Sequence, residues 1–456
     1  MDALLFPDNE VYDLSFTIFL RSELGHIYQT IPWKELAKHF ESEVPKSRIG
    51  RKPIFSIEGG LGLMFLKSYL GLSDKKLIER LNSDWQLQYF CGIKVRFTHP
   101  IRDKDIVSRW RKYFGIHMDI DKMQDILAVA WKPYLNQTHV LMDDATCYES
   151  YIKYPTDVKL LFDCTEYLFG TIKELCRAIG IVQPRTKYRF QERKQTNYSK
   201  LKRKPRKRTK KRIRELLYWV NRGLSILQEI FNQNPRLHDD LVTCLPIYDK
   251  IKTIGVIYGQ QNMKYHSPPG TKIKNRIVSL FKPYLRPIVR GKETKKVEFG
   301  AKAHISQVDG INFIEHLSFD AFHEGVRMWK SILKHKKRFG KCSQYGADQI
   351  YASNKNRKYA TRRKIGTCFK RKGRASKIED QKSVLRKELG RARATILEGS
   401  FGNEKNHYGL RKVKARSKST EIAWIFFGIH TANAVKMAKK MNHQKSQNQI
   451  TNNTAA

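Results

Sequence analysis

The sequence predicts an α/β fold joined to an all-helical N-terminal domain and interrupted by a basic helical insertion. Three observations predict it: three-and-four apolar spacing through residues 11–130, short β-rich runs alternating with helical stretches from residue 138 onward, and a block crowded with Lys and Arg at residues 185–214. A chain of 456 residues exceeds what one hydrophobic core usually serves, and its 40% hydrophobic content can fill two or three domains.

The charge balance narrows the partners. Against 43 Asp and Glu stand 88 Lys and Arg, a formal net charge of +45, which repels itself unless a polyanion shares the surface. Nucleic acid is the expected partner. No apolar run approaches the roughly 18 residues that span a bilayer. The opening MDALLFPDNE is acidic where a signal peptide is basic, which points to an intracellular protein. Seven cysteines are spread along the chain with no C-x-x-C pair, and the histidines form no H-E-x-x-H, so we expect reduced core thiols rather than a Cys or His metal site.

In the helical head, apolar positions recur in residues 57–72 and 76–90. Gly71, Ser73 and Asp74 punctuate GLSDKKLIERLNSDWQLQYFCGI as a helix-turn-helix. Arg109, Arg111 and Lys112 then cluster near Trp110, a mix suited to phosphate contact. The run THVLM at residues 138–142 reads as a strand whose tip delivers Asp143 and Asp144. Residues 158–180 return to helical spacing and stop at Gly180.

The basic block holds sixteen Lys or Arg and a single acid, Glu192, with Tyr188, Phe190 and Tyr198 interleaved, and it leads into the amphipathic ELLYWVNRGLSILQEIF. Its density suits a groove that follows a DNA backbone. The candidates there are Lys202, Arg203, Lys204, Arg206, Lys207, Arg208, Lys210, Lys211 and Arg212.

Beyond a proline-bearing connector, VEFGAKAHISQ and INFIEHLSF form a hairpin turning at Asp309-Gly310. A helix ending at Gly340, a strand carrying Asp348 at its end, a short helix at residues 354–363, a basic strand GTCFKRKGR and a long helix over 378–406 follow. A last apolar helix precedes the polar MNHQKSQNQITNNTAA, expected to be disordered. The domains expected are therefore 1–135, helical and DNA-binding or dimerising; 136–182 with 284–440, the α/β part; 183–283, the insertion; and 441–456, the tail.

Asp144 after the first strand, Asp348 after a later one and Glu398 on a helix stand where a ribonuclease-H-like catalytic core brings acids together. The segments around them resemble bacterial insertion-sequence transposases of the DDE type. VLMDDATCYESYIKYPTD resembles the family's first acidic strand with its Tyr-Pro-Thr-Asp box, here residues 154–157. GADQIYASNKNRKY resembles the second acid's Ala-Asp-x-x-Tyr segment. ILEGSFGNEKNHYGLRKVKARS resembles the helix in which Glu, a Gly-x-Phe-Gly element, Lys and Tyr-Gly-Leu follow in order. VEFGAKAHIS and GRKPIFSIEGGLGLMFLKSYLGLSDKKLIERL resemble the strand before the second acid and the family's helical head. Many relatives place Arg four and Tyr seven residues before the last Glu. Here those positions are Ala394 and Arg391, and Arg393 is displaced by one.

The resemblance implies that Asp144, Asp348 and Glu398 hold two divalent ions, Mg²⁺ with Mn²⁺ able to substitute, since hard cations prefer carboxylate oxygens. Asp143 is an alternative first ligand on the opposite side of the strand, with the Asp-x-Thr context favouring Asp144. Lys405, seven residues after Glu398, with Lys412 and Arg416, would anchor DNA phosphates. The implied partners are double-stranded DNA, as terminal inverted repeats and target, and a second copy of the chain on that DNA. The implied setting is the bacterial cytoplasm and nucleoid. A metal-dependent nuclease of the same fold and a non-catalytic DNA-binding protein remain alternatives.

Overall fold

The computed structural model describes residues 8–40, 53–234, 245–289, 297–375 and 377–455. The chain divides into two compact units: residues 1–151 with 301–456, and residues 152–300.

In the first unit the helical head comprises α1 (Asp8–Arg21), α2 (Glu23–Gln29), α3 (Trp33–Lys38), α4 (Ile57–Leu70), α5 (Asp74–Ser83), α6 (Trp85–Phe90), α7 (Ile106–His117) and α8 (Ile120–Trp131). Ser56, Ser73 and Asp119 cap α4, α5 and α8 by accepting backbone N–H groups three residues on, as short polar side chains do at helix starts. The expected helix-turn-helix is α5 and α6, joined at Asp84. Gly60 lets Trp110 lie against α4: a Cβ there would stand 2.6 Å from the indole ring.

The C-terminal helix Lys418–Ala455 belongs to the same unit. Ile425, Phe426, Phe427, Ile429 and Ala432 are all buried, and a helix apolar on so many sides must be covered all round. The head supplies part of the cover: Phe427 meets Phe65 at 5.4 Å and Phe114 at 5.7 Å between ring centres. The polar stretch expected to be a disordered tail continues this helix through Ala455, because adding residues to an established helix avoids the cost of nucleation.

The sheet has the order β2-β3-β1-β5-β6, with β4 also paired to β3. Its strands are β1 (Val140–Glu149), β2 (Pro287–Val289), β3 (Val297–Val308), β4 (Ile311–Ser318), β5 (Gln344–Ala347) and β6 (Gly366–Thr367). The expected hairpin is present: β3 and β4 run antiparallel and turn through Asp309 and Gly310, both at positive φ (48° and 82°). Strands β1 and β5 pair in parallel, as do β5 and β6. Two expectations change. β1 does not end at the acids but continues five residues past Asp144, through the well-buried Ala145, Thr146, Cys147 and Tyr148. The basic strand after Gly366 is only two residues long. Gln124 of α8 covers the backbone of β4, donating to the Ile314 carbonyl at 3.0 Å and accepting its N–H at 2.6 Å.

The second unit contains α9 (Asp157–Ala178), α10 (Tyr188–Lys200), α11 (Arg206–Gln233) and α12 (Leu245–His266). Its own core joins Leu161, Leu168 and Ile172 of α9 to Leu216, Val220 and Leu227 of α11 and to Ile254 and Ile257 of α12. Helix α9, expected with the α/β part, therefore packs with the insertion, because its apolar stripe matches that of α11. Six described cysteines are buried and form no disulfide; Cys244 lies outside the described residues. Among the described residues no helix is long and apolar enough to cross a membrane.

Candidate active site

β1 sorts its two acids by side-chain alternation. Asp143 is fully buried, accepts a hydrogen bond from the Tyr345 hydroxyl at 2.9 Å and lies 3.5 Å from His304 Nε2. Asp144 points the other way and keeps 17% of its side-chain surface. The parallel register pairs Asp143 with Ala347, so the next residues on the two strands, Asp144 and Asp348, leave the ladder side by side. Adjacent strands are about 4.8 Å apart. Asp348 is exposed and caps the short turn Gln349–Tyr351.

The third acid arrives on a helix with an irregularity. After α13 (Met328–Phe339) and α14 (Asn354–Arg362), helix α15 (Glu379–Ala392) passes through a π-helical turn at Arg393–Leu397 into α16 (Glu398–His407). In a regular α-helix, residues five apart face about 140° away from each other. A π turn closes its hydrogen bonds over five residues and brings them to one face. Arg393 and Glu398 are those residues.

One Arg393 nitrogen donates to Asp144 Oδ2 at 3.0 Å and to Glu398 Oε1 at 2.9 Å. The guanidinium also feels Asp348, and the charges of Asp348 and Glu398 both act on Asp144. Arg393 thus bonds two of the three acids named from sequence, Asp144 and Glu398, while Asp348 acts on the pair through its charge. Burial, assisted by these neighbouring carboxylates, pushes the Asp144 carboxyl above its ordinary range although Arg393 works against the shift.

Whether this cluster suits divalent ions depends on chemistry and spacing. The donors are hard carboxylate oxygens, as Mg²⁺ requires. Among the described residues, however, no three His, Cys, Asp or Glu side chains stand close enough together to hold an ion. The positive charge between the acids is that of Arg393.

Lys405, seven residues beyond Glu398, donates to Thr146 Oγ1 at 2.8 Å, two residues along β1 from Asp144 and so on its face of the strand. Sequence reasoning missed Glu404. Buried at 1% exposure, it accepts hydrogen bonds from the Tyr148 hydroxyl and from Asn312 Nδ2, the latter at 2.6 Å, and so ties α16 to β1 and β4. Its only trace in sequence is an acid at the start of the Glu-Lys pair before Tyr-Gly-Leu. Glu404→Ala strands two buried donors and is expected to cost about 2–4 kcal/mol. Urea unfolding should show that loss, with Glu404→Gln milder; a loss under 0.5 kcal/mol would refute the anchoring role.

Of the other residues named from sequence, Lys412 and Arg416 are exposed in the segment after α16. Lys202, Arg203, Lys204, Arg206, Lys207, Arg208, Lys210 and Lys211 are exposed in the second unit. Arg212 is not available to DNA. It is buried at 4% exposure and bonded to Gln191, Gln195 and Glu215, because it falls on the inward face of α11. Near the head, Arg109 pairs with Asp103, and Arg111 is buried against Asp74, leaving Lys112 exposed.

Comparison with curated proteins and with solved structures gave no match. Residues 16–113 match the family model described as a transposase domain (DUF772), and this match supports an insertion-sequence transposase family for the chain.

Proposed function

We propose that this protein is a DDE transposase, which binds the terminal repeats of an insertion sequence, cuts DNA by metal-dependent hydrolysis and joins the freed 3′-hydroxyl to target DNA. The observation that carries the reading is that Arg393 bonds both Asp144 and Glu398, while the parallel register sets Asp348 beside Asp144. The sheet supports a ribonuclease-H-like core: a central β1 has a hairpin on one side and two parallel strands on the other, with acids on β1, after its parallel neighbour and on a later helix.

Asp144, Asp348 and Glu398 would hold two divalent ions, Mg²⁺ or Mn²⁺, only by drawing closer together than they stand in this structure. The chemistry these acids would gain from such ions is activation of the attacking oxygen and stabilisation of the leaving one. Arg393 offsets the mutual repulsion of the carboxylates and is a cation that a DNA phosphate can draw outward. Lys405, positioned by Thr146, offers a second cation on the Asp144 face of β1. Asp143 is turned into the core and serves the framework. Two copies of the chain, each bringing one element end, complete the reaction the reading describes.

The test is incubation with Mg²⁺ or Mn²⁺ on DNA carrying the gene's own flanking ends. Nicking at the element boundary with joined products supports the reading; cleavage without joining favours a nuclease, and binding with neither favours a non-catalytic protein. Separately, neutralising Lys207, Arg208, Lys210 and Lys211 together should weaken DNA binding and flatten its salt dependence, by about one in slope per lost phosphate contact. Salt-titrated fluorescence anisotropy measures this. An unchanged slope would remove the second unit from the DNA path.

A further inference from the structure

We propose that a basic cleft in the first unit, distinct from the carboxylate cluster, binds the sugar-phosphate backbone of one DNA strand as it leaves the catalytic residues. The inference rests on the DNA-cutting reading above and gives part of the matched transposase domain a task in it.

The cleft has a volume of about 910 Å³ and is walled by the end of α4, the start of α5, one side of α7, residues 408–417 and the beginning of the C-terminal helix. Seven Lys or Arg line it against two acids, Asp74 and Asp105. Its floor is fixed. Asp74 holds both Lys67 and Arg111 at 2.8 Å, and the Arg111 guanidinium lies 4.7 Å from the centre of the Trp424 ring. Trp424 is itself held by its Nε1 donating to the Gly409 carbonyl at 3.2 Å.

The rim carries the unbalanced charge. Lys112, Lys412, Lys414 and Arg416 are exposed and make no ion pair among the described residues. Like charges are held together at a cost: burial lowers the Lys67 ammonium, Asp74 opposes that, and the nearby charges of Arg111 and Lys414 lower it further. A ligand with several regularly spaced anions relieves this repulsion, whereas a single small anion would meet only part of the rim. The volume lies at the large end of the range for small-molecule sites, which also favours a chain of several phosphates.

The cleft wall is continuous with the helix that carries Glu398. Helix α16 begins at Glu398 and ends at His407, about 14 Å on at 1.5 Å per residue, immediately before Tyr408 in the cleft wall. The wall is also stitched to β1: Val413 N donates to the Glu149 carbonyl at 2.7 Å, and Tyr151 N donates to the Val413 carbonyl at 2.8 Å. A strand of B-form DNA advances about 3.4 Å per nucleotide. A wall that begins about 14 Å along the helix from Glu398 would reach a duplex backbone a few nucleotides from the phosphate being cut.

The full-length protein is tested by anisotropy on an element-end duplex over a salt series, with Lys112→Ala, Lys412→Ala and Lys414→Ala combined. Ser108→Glu, which puts a carboxylate into the cleft, is a second variant. All four sites lie outside the buried core, and unchanged thermal unfolding confirms that each variant folds. The expected result is at least a tenfold loss of affinity near physiological salt and a log–log slope flattened by about two to three for the triple variant. Neutral methylphosphonates placed three to six nucleotides from the cut should weaken binding by the wild type and leave the triple variant unaffected. Wild-type protein that binds and cuts DNA, with variants matching its affinity and slope, overturns the cleft assignment while leaving the DNA-cutting reading in place. Steeper salt dependence on an RNA hairpin than on the duplex also overturns it. Wild-type protein that binds no DNA at any salt removes the parent reading, and the cleft assignment with it.

Discussion

Glu398→Gln and Asp144→Asn should each reduce strand cleavage at least ~10³-fold, equivalent to about 4 kcal/mol of lost transition-state stabilisation, while DNA affinity stays within about twofold. Both substitutions keep side-chain size and remove only charge, and both sites reach solvent, so folding should survive. DNA affinity should hold or rise slightly, because each change removes an anion that repels phosphate. Asp348→Asn should behave alike, as its position beside Asp144 in the parallel register requires. Nicking assays paired with anisotropy measure the two quantities. Cleavage retained within tenfold in any of the three would sink the triad, and Asp143→Asn provides the contrast, since Asp143 faces Tyr345 in the core and its loss should appear first as instability.

The second large effect concerns acid. His430 is fully buried beside Gln124 and Asn433, and burial lowers it to about 3; His335, also buried, is lowered to about 4. Their ordinary value is 6.5. Below pH 6.5 the unfolded chain takes up these two protons while the folded chain refuses them until about pH 4 and 3. The stability is therefore complete above pH 6.5 and falls as pH drops, with a limiting slope of about 2.7 kcal/mol per pH unit for two protons. Glu315 and Glu404, raised by burial, bind protons earlier in the folded state and offset part of the fall. Denaturant unfolding at intervals from pH 7 to 4 should show it. His430→Gln should remove about one proton's share of the slope; an unaltered slope would show that His430 is protonated in the folded protein.

Periodicity and turn chemistry carried much of this architecture. Asp309-Gly310 specified its hairpin, Ser73 its helix start and Gly340 its helix end, because each of these is a local backbone requirement. β1 was misjudged in length because a pair of acids reads as a strand's end, whereas Asp143 finds a tyrosine hydroxyl inside the core, a partner some two hundred positions away. Separation in sequence likewise hid Glu404, whose partners Tyr148 and Asn312 lie 256 and 92 positions away. Arg212 sat in a run of charges that composition treats alike, and only the phase of α11 turns it inward. Helix α9 carried a clear apolar stripe, but a stripe does not name the surface it will meet.

The π turn at Arg393–Leu397 has a bearing on how relatives of this chain are compared. It acts as a local phase correction: one additional residue is absorbed within a single turn, and the flanking helices keep their faces. An insertion or deletion of one residue in this helix can therefore be neutral if a turn widens or tightens to match. Alignments that forbid gaps inside helices would miss such members.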